Sequence, residues 1–541
     1  LEIAKQERNV KLHRLNIRRV ICAGLPVILA IGACSNTTGS SAVATTLVVD
    51  HTYSWVMSTD VDPSNDGQGF DTGPFFRAIY ESLLTFKGGD TATPVPLIAE
   101  SYTTNSDATV FTFKIRKDVK FADGTPLTAH DVEFTFNRLI NLQAVSAFLL
   151  DGIASAKATD DYTFVLTSKV SNPAIPFIIT SPALGILNSK LLQAHGGTDA
   201  ADAAKTDTAQ AFLLTTSAGS GPYVMSSVSV DQVVLKANTN YWGSSKPHFT
   251  TVIFRNVAAS TELLEIPKAT HQIELSLAGD QANSLNGNSK VTVKNFTSPN
   301  LTFLFCNVNP KVSVDCANPH FVEAVRYAID YAGLAAVAGN GAVQATGVVP
   351  DAFLGALPKS QAVKQDVTRA KSELQASGLT NPSVEFDYIT SSTGLTEALA
   401  AKIKSDLAAV GINATLNGQP SAIATPSYRS GKFQLGMAQW NPDYPDPNDY
   451  LPFLPGQLVG IRAGWLAGAD PSLESLGARA STTADISTRG QLFQQIQTQL
   501  NQEGPIYPLI HPGQAVVATN DLTNVTYNPQ WQLDLAAIGG Q

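Results

Sequence analysis

Methionine, tryptophan, cysteine and charge are all scarce in this chain. Its 541 residues include three methionines, five tryptophans and four cysteines, and only 15% are charged. So few cysteines exclude a disulfide-stapled scaffold. The eight histidines are scattered, with no HxxH and no CxxC, so no motif offers metal-ligand spacing. Catalytic signatures are missing as well: there is no Walker A loop, GxSxG elbow, HExxH helix or Rossmann fingerprint. "GNGAVQ" at Gly339 lacks the final glycine, and "SGKF" at Ser430 lacks both the leading glycine and the closing Ser or Thr. The expectation is a protein that is no enzyme and carries no cofactor. Positive charge is short too. Residues 1–33 hold six basic residues against two acidic ones, so the net −9 of the chain conceals −13 beyond residue 33. Phosphate affinity comes mainly from Lys and Arg, which argues against nucleic acid as a partner of that body.

What is present is apolar substance. Hydrophobic residues make up 44% of a chain long enough for roughly three domains, with no long linker, low-complexity tract or repeat. The basic arm runs into "VICAGLPVILAIGAC", Val20 to Cys34. A charged start, a short apolar run and small residues before a cysteine read as an export signal. The run is shorter than the roughly 20 residues of a membrane-spanning helix. Pro26 and the terminal position argue against a buried core helix. Ile31-Gly32-Ala33-Cys34 resembles a bacterial lipobox, which makes 1–33 a signal peptide and Cys34 the lipidated residue. Residues 34–46, small and polar, then form a tether. An exported compartment permits disulfides, and Cys306 and Cys316, ten positions apart, would staple a hairpin for about 3 kcal/mol. Two buried free thiols are the alternative.

Periodicity supplies the elements. "TLVVDHTY" reads as a strand entering a polar loop. In "VFTFKIR", Phe111, Phe113 and Ile115 share one face and Thr112, Lys114 and Arg116 the other. Thr128-Ala129-His130-Asp131 makes a capping box for an amphipathic helix carrying Val132, Phe136 and Leu139. Val384, Phe386 and Tyr388 alternate; Leu399, Ile403, Leu407 and Val410 form a helical stripe ended by Gly411; Ile412, Ala414 and Leu416 alternate again. That β-α-β unit places an α/β domain with parallel pairing in the C-terminal half.

Four stretches carry a resemblance. They are "LIAESYTTNSDATVFTFKIRKDVKFADGTPLTAHDVEFTFNRL" from Leu97, "GSGPYVMSSVSVDQVVLKANTNYWGSSKPHFTTVIFR" from Gly219, "AVRYAIDYAGLA" from Ala324, and "WNPDYPDPNDY" from Trp440. Together they resemble the large extracytoplasmic solute-binding proteins of peptide and nickel ABC transporters, family 5, and most of all the dipeptide- and oligopeptide-binding lipoproteins. One departure is Val322, where the family usually has an arginine. The resemblance implies an α/β fold, the two-lobed periplasmic-binding-protein clamshell of type II in its large three-domain form. Its discontinuous domains would run 47–82, 208–276 and 509–541 for domain I, 83–207 for domain II and 277–508 for domain III. It also implies a monomeric receptor, anchored outside the membrane through lipidated Cys34, that hands short peptides to ABC permease and ATPase subunits.

"QWNPDYPDPNDY", Gln439 to Tyr450, packs three aspartates, three prolines and three aromatics into twelve residues. Taken alone, it is Asp-Pro turn chemistry beside a core tryptophan. Asp446, Asn448 and Asp449 do not follow the calcium-loop spacing and read as rim and turn, so no metal is expected. Beside the resemblance, Trp440 and Asp443 stand where peptide-binding relatives pair an aspartate with the ligand's α-ammonium group. In some oligopeptide-binding relatives an arginine three residues before the tryptophan meets the ligand carboxylate; Met437 occupies that position here. Tyr53, Ser54 and Trp55, after the first strand, are the expected donors of main-chain contacts, core packing of the aromatics being the alternative. Tyr241 and Trp242 read as structural core, and Gly219, Gly221 and Pro222 as a turn feeding a strand. Haem, a nickel chelate or a sugar in the same cleft remains the alternative ligand.

Overall fold

The computed structural model describes residues 45–53, 62–65, 69–391 and 393–541. The signal peptide, Cys34, most of the tether, Ser54 and Trp55 lie outside the described residues. Three sheets organise the rest. The first has seven strands in the order Val291–Thr297, Gly513–Thr519, Gln272–Glu274, Thr46–His51, Thr251–Asn256, Gln232–Ala237, Tyr223–Val228. Strand Thr46–His51 sits inside it, parallel to both neighbours, with Leu47 and Val49 fully buried. The second has six strands: Val343–Gln344, Ile506–His511, Leu301–Cys306, Leu435–Trp440, Ser383–Ile389 and Asn413–Gln419. The third is an antiparallel four-stranded sheet of Ala99–Thr104, Val110–Ile115, Thr163–Ser168 and Ile153–Asp160.

The alternating strand forms as its pattern requires: Phe111, Phe113 and Ile115 are buried in the core of the four-stranded sheet, and Lys114 is exposed. Helix Ala129–Leu142 starts at Thr128, whose amide donates to Asp131 Oδ2 at 2.8 Å. The Thr128 hydroxyl donates to the same oxygen at 3.0 Å, so Asp131 supplies both capping contacts. Helix Leu395–Val410 buries Leu399, Ile403, Leu407 and Val410, and Gly411 ends it in the left-handed region at φ 100°. The strands on either side of it pair in parallel, Val384 opposite Ala414. Gly219 and Gly221 feed strand Tyr223–Val228 where no side chain fits: a Cβ on Gly219 would lie 2.2 Å from the Ile79 carbonyl oxygen.

The chain passes between the seven- and six-stranded sheets twice at one place. Residues 298–300 join Val291–Thr297 to Leu301–Cys306, and Pro512 joins Ile506–His511 to Gly513–Thr519. The two crossings touch. The Ser298 amide donates to the Pro512 carbonyl at 2.9 Å, and His511 Nδ1 lies 2.9 Å from the Asn300 carbonyl.

The disulfide expected between Cys306 and Cys316 is not formed. Both are free and fully buried, in the cluster under the six-stranded sheet. Cys316 Sγ donates to the Gln434 carbonyl at 3.6 Å. Burial, then the adjoining Cys306 thiol, holds the Cys316 thiol well above its ordinary range. The thiolate is the species that attacks to make a disulfide, and this apolar site opposes it, so the pair packs as two small hydrophobes.

Candidate functional site

Strand Leu435–Trp440 lies inside the six-stranded sheet, antiparallel to Leu301–Cys306 and parallel to Ser383–Ile389. Leu435, Gly436, Met437 and Ala438 are buried, as a two-sided central strand demands. Met437 is 1% exposed, so the position that would meet a ligand carboxylate in relatives is core here. Because Ser383–Ile389 also pairs in parallel with Asn413–Gln419, three strands end on the same side of the sheet. Trp440 stands at that end. In open α/β sheets the crevice outside the carboxyl ends is where ligands bind.

From Trp440 the chain turns through a loop held at three points by proline and enters the 3₁₀ helix Pro447–Phe453. Trp440 is half-buried, edge-on to Phe453 with ring centroids 5.5 Å apart. Its indole Nε1 donates to Asp449 Oδ2 at 2.9 Å, and the Asp443 amide donates to that same oxygen at 3.3 Å. One carboxylate oxygen thus fastens both expected ligand residues. Asp446 is fully buried and clamped by Arg489, itself 2% exposed, of helix Ile486–Glu503. Arg489 Nη1 donates to Asp446 Oδ2 at 2.8 Å, and Nη2 donates to Asp446 Oδ1 and to Asn448 Oδ1. Asp446 also caps the 3₁₀ helix, accepting from the Asn448 amide at 2.9 Å. Asp446 and Asp449, expected at the rim, are therefore the loop's buried supports. Asp443 is exposed.

The loop also ties parts of the molecule together. Gln530 Nε2 donates to the Asp443 carbonyl at 3.2 Å, and Tyr444 packs on the core of the four-stranded sheet. Burial, then the charge of Asp443, raises Asp449 well above the ordinary carboxylate range; the Trp440 bond opposes this.

Tyr53 is 7% exposed and belongs to the core of the seven-stranded sheet, its ring edge-on to His51 at 4.7 Å. Its amide donates to Asn256 Oδ1 at 3.0 Å, while the preceding Thr52 amide donates to Ser276 Oγ at 2.6 Å. The segment leading to Ser54 and Trp55 is thereby fixed from two sides. Tyr241 and Trp242 are structural: the Tyr241 hydroxyl, the Trp242 indole at 2.6 Å and the Ser220 hydroxyl all donate to Glu81, which is fully buried. Sequence reasoning missed the supporting roles of Asp449, Arg489 and Gln530. A nine-residue gap, a 43-residue gap and a contact from the C-terminal segment leave no periodic trace.

Among the described residues, no group of three or more His, Cys, Asp or Glu is arranged to hold a metal ion, and no helix is long and apolar enough to cross a membrane. A cavity of about 180 Å³ lies against the paired strands Val291–Thr297 and Gly513–Thr519 and the segment 520–525, lined by Thr292, Lys294, Val516 and Leu522 among others, and includes none of the loop's residues. It is small beside the roughly 300–1,000 Å³ of ordinary ligand pockets.

Comparison with known proteins bears on this geometry directly. The family model for bacterial extracellular solute-binding proteins, family 5 middle, matches residues 93–457. The chain belongs to family 5. The matched span takes in the four-stranded sheet, most of the six-stranded sheet and the whole of the Trp440 loop. Among curated family 5 relatives, the probable D,D-dipeptide-binding periplasmic protein DdpA of Escherichia coli is 26% identical over 460 residues, 83% of this chain and 86% of that one. Di/tripeptide-binding protein 4 of Pseudomonas aeruginosa is 25% identical over 535 residues, 93% of this chain and 96% of that one. The solved ABC transporter substrate-binding protein CtaP of Listeria monocytogenes superposes with a TM-score of 0.79 at 18% identity, covering 92% of this chain and 99% of its own. NikZ of Campylobacter jejuni, solved in complex with Ni(L-His), gives 0.73 at 16%, covering 92% and 100%. These two likenesses place the fold: the α/β two-lobed periplasmic-binding-protein architecture.

Proposed function

We propose that this family 5 protein is the binding component of an ABC importer, capturing short peptides by their α-ammonium group at Asp443 and delivering them to a membrane permease. One observation carries the reading. An exposed aspartate is presented at the carboxyl ends of three parallel strands by a loop whose other two aspartates are buried as supports. A closed cleft excludes water, so such a carboxylate selects strongly for a cation. Trp440 supplies an apolar wall beside it. Ser54 and Trp55 are the expected donors of contacts to the peptide main chain, Tyr53 being core. The names of the relatives, dipeptide- and tripeptide-binding, agree with this ligand class. The protein performs no catalysis; ATP hydrolysis belongs to other subunits. Lipidated Cys34 anchors it outside the membrane as a monomeric receptor, with 83–207 as domain II. The boundaries between domains I and III fall at the crossings 298–300 and Pro512 rather than at the expected 276/277 and 508/509, because Val291–Thr297 pairs with Gly513–Thr519 in the seven-stranded sheet and Ile506–His511 is one strand of the six-stranded sheet.

Calorimetry tests the reading, titrating a mixture of short peptides and then the same peptides N-acetylated. Binding that disappears on acetylation is the expected result. Equal binding of both sets removes Asp443 from the mechanism. Failure of both sets to bind moves the assignment to a nickel chelate, haem or sugar within the same fold.

A further inference from the structure

The loop that carries Asp443 reaches from the crossings to the opposite lobe. At one end the Tyr450 hydroxyl donates to the Pro299 carbonyl at 3.5 Å. At its tip the Asp443 carbonyl accepts from Gln530 Nε2 at 3.2 Å, and the half-buried Tyr444 packs on the core of the four-stranded sheet. Gln530 belongs to the lobe of the seven-stranded sheet. It lies between the paired strands Tyr527–Asn528 and Gln532–Leu533, whose Tyr527 and Leu533 are buried in that sheet's core. Each half of the contact is held rigid by its own lobe. Asn528 Oδ1 accepts from the Gln530 amide at 2.8 Å, and Asn528 Nδ2 donates to the carbonyls of Gly88 at 2.7 Å and Asp90 at 3.2 Å. Trp531, 2% exposed, stacks on Phe86 with ring centroids 5.8 Å apart. Across from it, Asp449 holds the Trp440 indole and the Asp443 amide, and Arg489 clamps Asp446. Neither half has to be ordered when the two meet, which removes much of the cost of so small a contact. The bond uses the main chain of residue 443 and does not draw on its carboxylate.

We infer that Gln530 and Tyr444 form a latch between the lobes: positioning residues that touch no ligand, hold the cleft shut at the tip of the loop, and must let go before anything enters. A hydrogen bond of this kind is worth roughly two- to tenfold in the ratio of closed to open molecules. Covering part of a tyrosine ring is worth roughly as much again. The signature of a latch is kinetic. Ligand enters only the open fraction, so closure slows apparent association by that fraction. Release waits on the same opening, so the latch slows entry and exit together and changes rates by more than it changes affinity. The inference needs a two-lobed cleft that opens by a hinge. It does not depend on the ammonium-reading role of Asp443 and holds for whichever ligand class the cleft takes.

The test is small-angle scattering on the full chain after exhaustive dialysis, comparing wild type with Gln530→Met, Tyr444→Ala and Tyr444→Phe. Methionine keeps the length of glutamine but cannot donate, and phenylalanine keeps the ring. Thermal melts establish that each variant is folded; the first two act from opposite lobes, so either one alone carries the test. Without added peptide, Gln530→Met and Tyr444→Ala should show a larger radius of gyration than wild type, and Tyr444→Phe should match it. An equimolar mixture of di-, tri- and tetraalanine is then added and followed by stopped-flow tryptophan fluorescence. Association and release should both be faster than in wild type, by roughly two- to tenfold for Gln530→Met. Damage to the binding site would instead slow association. Equal radii without peptide overturn the inference and leave the peptide reading standing. Association that is slower or unchanged in folded Gln530→Met and Tyr444→Ala also overturns it. Larger radii in those two, with no binding of the mixture by any form, support the latch and overturn the peptide reading.

Discussion

Replacing Asp443 by alanine takes the exposed carboxylate out of the loop without touching its supports. The cation left unpaired in the cleft should then cost about 3–5 kcal/mol, a loss of hundreds-fold or more in affinity for free-amine peptides, with little change for acetylated ones. Competition with a fluorescent peptide reads both. Arg489→Met acts differently. It leaves Asp446 buried and uncompensated, so stability should fall by about 3–5 kcal/mol, measured as a lower denaturation midpoint at constant slope. Of these residues, Trp440 and Asp443 stand out in the sequence as candidates because their spacing matches a family motif. Asp446–Arg489 was not, since the partners stand 43 positions apart on a loop and a helix that only the fold brings together.

At the level of strands and helices, alternation and helical stripes foretold the strand Val110–Ile115, the helix Leu395–Val410 and the parallel pair around it, because burial follows the same period as the chain. The cysteine pair was misread for a physical reason. A spacing of ten gives the loop length, whereas bridging also requires Cβ geometry and a reactive thiolate. Reductant should therefore leave the melting temperature unchanged, and Cys306 and Cys316 should resist a thiol reagent until denaturant is added. A second expectation concerns the seven-stranded sheet. Burial, then the charges of Asp50 and Glu262, raises Glu274 to about 9, and burial raises Glu262 to about 7. Among the described residues, Glu274 Oε2 and Glu262 Oε1 are buried without a hydrogen-bond partner. Both acids hold protons in the folded state that the unfolded chain releases above its ordinary 4.5. Their contribution is complete in acid and is lost as pH rises through 7 and then 9. The melting temperature should fall from roughly pH 5 to pH 9 on this account, and Glu274→Gln should flatten the upper part of that fall.

For the molecule as a whole, the paired crossings at 298–300 and Pro512 carry the chain between the seven- and six-stranded sheets, so a hinge between the lobes is expected there. Pro512→Gly frees a backbone that proline restrains, which adds freedom to the unfolded chain and should lower stability by about 0.4–1 kcal/mol. The denaturation midpoint should fall at constant slope. The discontinuity of the lobes was legible only through family resemblance. Nothing in local periodicity says that strand Thr46–His51 pairs with Thr251–Asn256.

That pairing has a consequence for the order of events during synthesis. Strand Gly513–Thr519 lies between Val291–Thr297 and Gln272–Glu274, so the seven-stranded sheet stays split until nearly all 541 residues have emerged. The first strand made must wait with unpaired edges for partners more than 200 residues behind it. Such a chain cannot finish folding from its N-terminus forward; it remains threadable until its tail arrives, and the segment from Gly513 onward decides when it locks.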